Sequence, residues 1–329
     1  MKIAYFDLGI TNFFEDYSIN PKGYGGGPCF ARWAKEVLNK DGNTFIIIGQ
    51  DGNFKNLGPN ENTKACFSFP KSHLDLIKNG YPVDNVIQGL QDFDILIHHH
   101  DCLHINKGNL KAKSIHWSLS GRSDGGHPLN DCDLLYDASQ KINWASQKIK
   151  YVQIGKSIPN FKFNQKEDFI FTCTRHDESM NSIEVAKNCI KYNIKGYFAG
   201  PIHNQYPLQK YIDNKNTFYL GILTEEEKLD YTKRSRLYPI LANWDVVFNQ
   251  SALEANGEGT PLLTTRRGWF NSYIKENENG FFYDGDNFLD KFEESLKIDQ
   301  EKCNKSAQEF GIHPMINSFI KSFKEILKD

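Results

Sequence analysis

Short apolar runs rich in β-branched and aromatic residues alternate along this chain with stretches whose apolar residues recur every three or four positions. That is the pattern of buried parallel strands joined by covering helices. In the first half the runs predict strands at Lys2–Asp7, Thr44–Gly49, Phe93–His98, Ser114–Trp117, Asp133–Tyr136 and Lys150–Ile154, with a helix from Pro28 to Lys40. On that helix Phe30, Trp33, Ala34, Val37 and Leu38 share a face. The second half restarts the alternation, with strands at Asp168–Thr174, Gly196–Ala199, Thr217–Leu220, Leu237–Leu241 and Leu262–Thr264. Helices are expected between them at Asn181–Tyr192, Glu225–Ser235 and Gln250–Glu258. Past Phe282 the chain reads as helices, one carrying Phe288, Leu289, Phe292 and Leu296, the last carrying Ile316, Phe319, Ile320, Phe323 and Ile326. The repeated order predicts an α/β protein of two Rossmann-like, doubly wound parallel-sheet domains.

Length agrees, since 329 residues exceed the size at which one hydrophobic core stops growing. The join is expected near Ile158-Pro159-Asn160, ahead of a Lys-rich polar segment. The domains are therefore set at residues 1–157 and 158–310, with 311–329 a terminal helix. A net charge of −2 with 24% charged residues does not advertise a polyanion partner. The seven cysteines contain no CxxC pair and read as reduced, mostly buried thiols. The start, Met1-Lys2-Ile3-Ala4-Tyr5-Phe6, is broken by Asp7 too soon for a signal peptide, and no apolar run approaches ~18 residues, so a cytoplasmic location is expected.

Candidate chemistry collects where such sheets bind ligands, at the carboxyl ends of strands. In the first half, Gly25, Gly26 and Gly27 follow the first strand, and bare backbone there can approach a phosphate. The loop is neither a Walker nor a GxGxxG motif. His98, His99, His100 and Asp101 end the third strand, as a polar strand end or, less favoured, a metal site. His116 stands on the next strand, either as a ligand contact or as a core histidine satisfied by backbone. In the second half, Arg175 follows Thr172-Cys173-Thr174, with a guanidinium suited to two phosphate oxygens. Trp244 to Leu263 then place Glu254 inside a short helix of small residues. Ala252, Ala255 and Gly257 are expected to leave room beside it, and the helix start at Asn249 and Gln250 offers free backbone N–H groups.

This last stretch resembles the C-terminal signature of retaining GT-B glycosyltransferases, family 4 in particular. Phe248, Leu253, Glu254, Ala255, Gly259, Thr260 and Pro261 match in register, and Glu276-Asn277-Glu278-Asn279-Gly280-Phe281 is similar to the family's Glu-Asn-Gly turn. The family's first Glu falls on Val246, with Asp245 beside it, and a family Lys falls on Met180. The resemblance implies the GT-B arrangement with a deep interdomain cleft, the acceptor on the first domain and the nucleotide sugar on the second, and a terminal helix at 311–329 that packs back on the first domain, the alternative being a plain capping helix. It implies transfer from a UDP- or GDP-sugar to a hydroxyl of a glycan, lipid-linked saccharide or small molecule, with no metal and no tightly bound cofactor. Catalytic roles fall on His116, Arg175 and Glu254, and donor contacts on Gly25 to Gly27, Arg175, Asp245, Asn249, Gln250 and Glu254. Lys187, Arg266 and Arg267 are further cations for the diphosphate. Alternatives are a glycosyltransferase acting on modified phage DNA bases, which the net charge disfavours, and a degenerate sugar-nucleotide-binding protein. Peripheral membrane contact stays open.

Overall fold

The structure is a computed structural model, and it describes residues 1–7, 38–39, 42–48, 93–99, 111–118, 133–137, 149–151, 155–203, 205–246 and 248–328. These divide into two compact units, one taking the described residues up to Gly155 and from Ile312 onward, the other Lys156–Gly311.

The first unit is built on β1 (Lys2–Asp7), β2 (Thr44–Ile48), β3 (Ile95–His99), β4 (Lys113–Ser118), β5 (Leu134–Asp137) and β6 (Ile149–Tyr151). Among the described residues its six strands run in the order β2-β1-β3-β4-β5-β6, every neighbouring pair parallel. Ile95, Leu96 and Ile97 are all fully buried, successive residues that face opposite sides, so both faces of the sheet are covered here. The expected helix at Pro28–Lys40 lies outside the described residues except for Leu38 and Asn39.

In the second unit β7 (Glu167–Cys173), β8 (Lys195–Ala199), β9 (Thr217–Gly221), β10 (Ser235–Ile240), β11 (Leu262–Thr264) and β12 (Gly280–Phe282) form a six-stranded sheet in the order β12-β11-β10-β7-β8-β9. All pairs are parallel. Chain order reverses between β7 and β10, the switch point of a doubly wound sheet. Helices α1 (Ser182–Tyr192), α2 (Glu225–Arg234), α3 (Gln250–Gly257), α4 (Phe270–Tyr273), α5 (Phe288–Glu294) and α6 (Gln300–Gln308) cover it. Phe169 and Phe171 enter one core layer with Tyr238, Leu253 and Leu262, whereas Ile170 enters the other with Leu237, Leu263 and Phe281. The two-residue period of the strands thus sorts one apolar run into two cores. Strand β12 and helices α4 and α6 were not anticipated, because the first two are too short to show a period and α6, QEKCNKSAQ, is mostly polar.

The last helix, α7 (Ile312–Ile326), buries Ile312, Met315, Ile316, Phe319, Phe323 and Ile326 along one stripe. It belongs to the first unit, where the Phe319 ring meets Trp117 edge-on with centroids 5.2 Å apart and the Gly155 N–H points at Met315 Sδ from 3.0 Å. Among the described residues no helix is long and apolar enough to cross a membrane.

Candidate functional site

At the switch point of the second unit, β7 hands the chain to a tight turn that carries Arg175. Its guanidinium is half exposed, pairs through Nε with Asp177, and donates from Nη2 to Ser179 Oγ at 3.3 Å. Asp177 also accepts from the Ser179 N–H at 3.0 Å and the Met180 N–H at 3.2 Å. Partial burial raises the Asp177 pKa, but the Ser179 hydroxyl, the Arg175 charge and the Met180 N–H together hold it below its ordinary value. The turn fits because Gly200, at the end of β8 with φ +113°, has no side chain where a Cβ would lie 2.0 Å from the Thr174 carbonyl oxygen. His176 pins the same turn from below: fully buried, its N–H donates to the Pro201 carbonyl at 2.8 Å and its ring Nδ1 meets Ser182 Oγ at 2.8 Å.

Beside β7, Glu254 of α3 is buried and ion-paired on both oxygens, Oε1 with Lys156 and Oε2 with Lys228 of α2 at 2.8 Å. Lys228 also pairs with Glu225, whose Oε1 stands 3.9 Å from Lys156 Nζ. The cluster adjoins the end of β7, because Lys228 and Glu225 both act on the Cys173 thiol; burial raises that thiol to about 11, and Lys228 opposes the rise. There Tyr238 Oη bridges the Cys173 N–H and carbonyl, each at 2.9 Å.

The small residues of α3 do not leave the expected room. Ala252 and Ala255 are fully buried, and a Cβ on Gly257 would lie 3.1 Å from Ile158 Cγ2. Asn304 of α6 closes the same side by donating to the Gly257 carbonyl at 2.6 Å. Asn249 caps the helix, its side chain accepting the Ala252 N–H at 2.9 Å, so the carboxamide oxygen is engaged internally and Gln250 opens the first turn. Asp245 accepts the Gly268 N–H at 3.1 Å, and the Trp269 N–H donates to the Val246 carbonyl at 2.6 Å. Val246 and Met180, which stand where the family signature has charged residues, are both buried in the apolar core. Lys187 lies 5.6 Å over the Tyr211 ring, and Arg266 lies over Phe282 and pairs with Glu276 at 2.9 Å. Arg267 is exposed on the turn after β11.

In the first unit His116 on β4 is the register partner of His98 on β3, and Asp7, His99 and Trp117 form the next row across the sheet. The two histidine candidates thus occupy one row near the strand ends, an adjacency that strand order alone reveals. Gly25, Gly26, Gly27, His100 and Asp101 lie outside the described residues.

No family model and no curated protein matches the chain. Among solved structures, sucrose-phosphate synthase from Thermosynechococcus elongatus matches at TM-score 0.71 and 11% identity, over 99% of this chain and 99% of that one. A glycosyltransferase from Rickettsia africae matches at TM-score 0.71 and 14% identity, over 100% of this chain and 99% of that one. Anabaena HepE in complex with UDP-glucose matches at TM-score 0.68 and 13% identity, over 99% of this chain and 100% of that one. The fold is GT-B. Within this GT-B chain, sequence reasoning missed Lys156 and Lys228. Lys228 sits one turn into α2, behind a capping box of Thr224 and Glu227, and only the packing of α2 on α3 tells it from Lys233 of the same helix. Lys156 precedes any regular element of its unit and carries no local signal.

Proposed function

We propose that the protein is a metal-independent, retaining glycosyltransferase that moves a sugar from a nucleoside-diphosphate sugar to a hydroxyl acceptor. The observation that carries this reading is Glu254, a buried carboxylate clamped by two lysines beside the end of β7. Burying a carboxylate and two ammonium groups costs more solvation than packing apolar side chains there, which favours a functional role. Support comes also from HepE, a neighbour in fold that is found in complex with UDP-glucose and with UDP and glucose.

In this reading Glu254 accepts hydrogen bonds from the ribose hydroxyls, and Arg175 grips the diphosphate. The amides opening α3 at Asn249 and Gln250, with Asp245, meet the donor sugar. As the bond from the anomeric carbon to the diphosphate oxygen breaks, positive charge grows on the sugar ring and negative charge on the leaving phosphate. The fixed cation and N–H groups stabilise that negative charge without reorganising. The acceptor oxygen bonds the anomeric carbon from the same face, and its proton passes to the departing phosphate oxygen, so paired catalytic carboxylates are not required.

One observation favours a second reading, a sugar-nucleotide-binding protein without transfer: Val246 and Met180 are core residues and supply no polar group. A thermal-shift and hydrolysis screen against UDP-, GDP- and ADP-sugars separates the two. Transfer predicts that one nucleotide sugar stabilises the protein and is slowly hydrolysed, and that Glu254→Ala and Arg175→Ala lose both effects. Stabilisation without turnover, with any offered acceptor, supports binding alone, and no stabilisation by any of them overturns both.

A further inference from the structure

Lys156 has an unusual place in the second unit. Its backbone lies where the chain enters the unit, its N–H donating to the Phe310 carbonyl at 3.2 Å, and it forms an isolated parallel bridge with Gly311, the residue at which the chain leaves. From that crossing the side chain runs inward, only 7% exposed, to Glu254 Oε1. An ordinary lysine turns its ammonium to water. This one gives up that solvation to meet a carboxylate that is itself 6% exposed.

The geometry on Glu254 says what the contact achieves. Lys156 takes Oε1 and Lys228 takes Oε2, which leaves a second acceptor site on each oxygen. A carboxylate so buried keeps its charge through neighbouring cations, and its orientation is fixed when both oxygens are held. Glu225, which is 45% exposed, pairs closely with Lys228 and stands 3.9 Å from Lys156, and Lys156 approaches from the crossing with its backbone fixed. We propose that Lys156 is a positioning residue for the donor nucleotide: it keeps Glu254 ionised and aims the remaining acceptor sites of its oxygens at the paired ribose hydroxyls. This rests on the reading that Glu254 meets that ribose. It also joins the donor site by one side chain to the segment through which the chain passes between its units.

The test is calorimetric titration with UDP-glucose, GDP-mannose and ADP-glucose of the wild type, Lys156→Met, Lys156→Arg, Glu254→Gln and the Lys156→Met/Glu254→Gln double variant. Lys156→Met is expected to weaken the bound nucleotide sugar about tenfold or more, and Lys156→Arg, which keeps the charge, by less than about threefold. In the Glu254→Gln background Lys156→Met should add less than about twofold, because it acts through that carboxylate. A Lys156→Met protein that melts lower but binds normally overturns the proposal. So does a loss of equal size in both backgrounds, which a merely structural lysine would give. If Lys156→Met does not fold, Lys156→Gln is judged by the same criteria. Absence of binding by the wild type would instead sink the transferase reading, whereas binding that Glu254→Gln weakens and Lys156→Met leaves intact sinks this inference alone.

Discussion

Two residues that the family signature would make polar show how environment decides chemistry. Met180 follows Arg175 on the same turn, yet it is buried against the apolar layer that holds Phe171 and Tyr238. Restoring a cation there by Met180→Lys is therefore expected to place an unpaired ammonium in the core and to destabilise the protein by about 3 kcal/mol or more. A urea unfolding midpoint equal to that of the wild type would contradict it. The cations that folding brings to Glu254 are Lys228 and Lys156, which approach from α2 and from the crossing segment. That pairing is invisible in spacing, because it joins residues far apart in the chain.

At the scale of elements, helices α2 and α3 hold Lys228 and Glu254, whereas turns hold Arg175 and Asp245. Gly268 has φ +53°, and a Cβ there would sit 2.3 Å from the Val246 carbonyl oxygen and 2.6 Å from its nitrogen, both rigid backbone. Gly268→Ala should therefore force the Asp245 segment off its clamp, costing about 1–3 kcal/mol and weakening stabilisation by the nucleotide sugar. Parallel melting curves with and without ligand measure both effects. The turn after β7 carries a pH signature. Burial lowers the His176 ring to about 4, against the Ala199 carbonyl and Asp177, which favour the charged ring. The unfolded chain takes up that proton near pH 6.5, so the neutral histidine's contribution is complete above that pH and is lost as pH falls toward about 4. Its full size is roughly 3 kcal/mol. Urea midpoints between pH 7.5 and 4 should fall across that window, and His176→Gln should flatten the fall. An unchanged slope in the variant would count against the assignment.

For the whole molecule, the chain begins in one unit, builds the other from Lys156–Gly311, and ends in the first again. Phe319 of the last helix meets Trp117 of β4 in a fully buried contact. Phe319→Ala should therefore cost about 3–5 kcal/mol in the first unit only. Separate cores permit separate transitions, so calorimetry is expected to show the step of the first unit moving down while the step that responds to Leu253→Ala stays in place. A single transition shifted equally by both variants would show that the units unfold as one.

The sequence by itself determined the elements whose period is long enough to read. A run such as Asp168–Thr174 reads as a strand because its aromatic and β-branched residues bury a pleated surface on both faces, and the repeated strand-helix order gives two doubly wound sheets. It also drew attention to Glu254, because a lone carboxylate among small residues is conspicuous in one dimension. It misjudged what surrounds that residue: the space beside Ala252, Ala255 and Gly257 is filled by Ile158 and α6, since packing partners come from distant segments. Only the tertiary structure decided that Val246 and Met180 are core, that His98 and His116 share a row, and that two lysines hold Glu254. The reason is physical. Periodicity and turn chemistry are local properties of a chain, whereas the charge, burial and free acceptor sites of a side chain are set by whichever neighbours folding brings within a few ångströms.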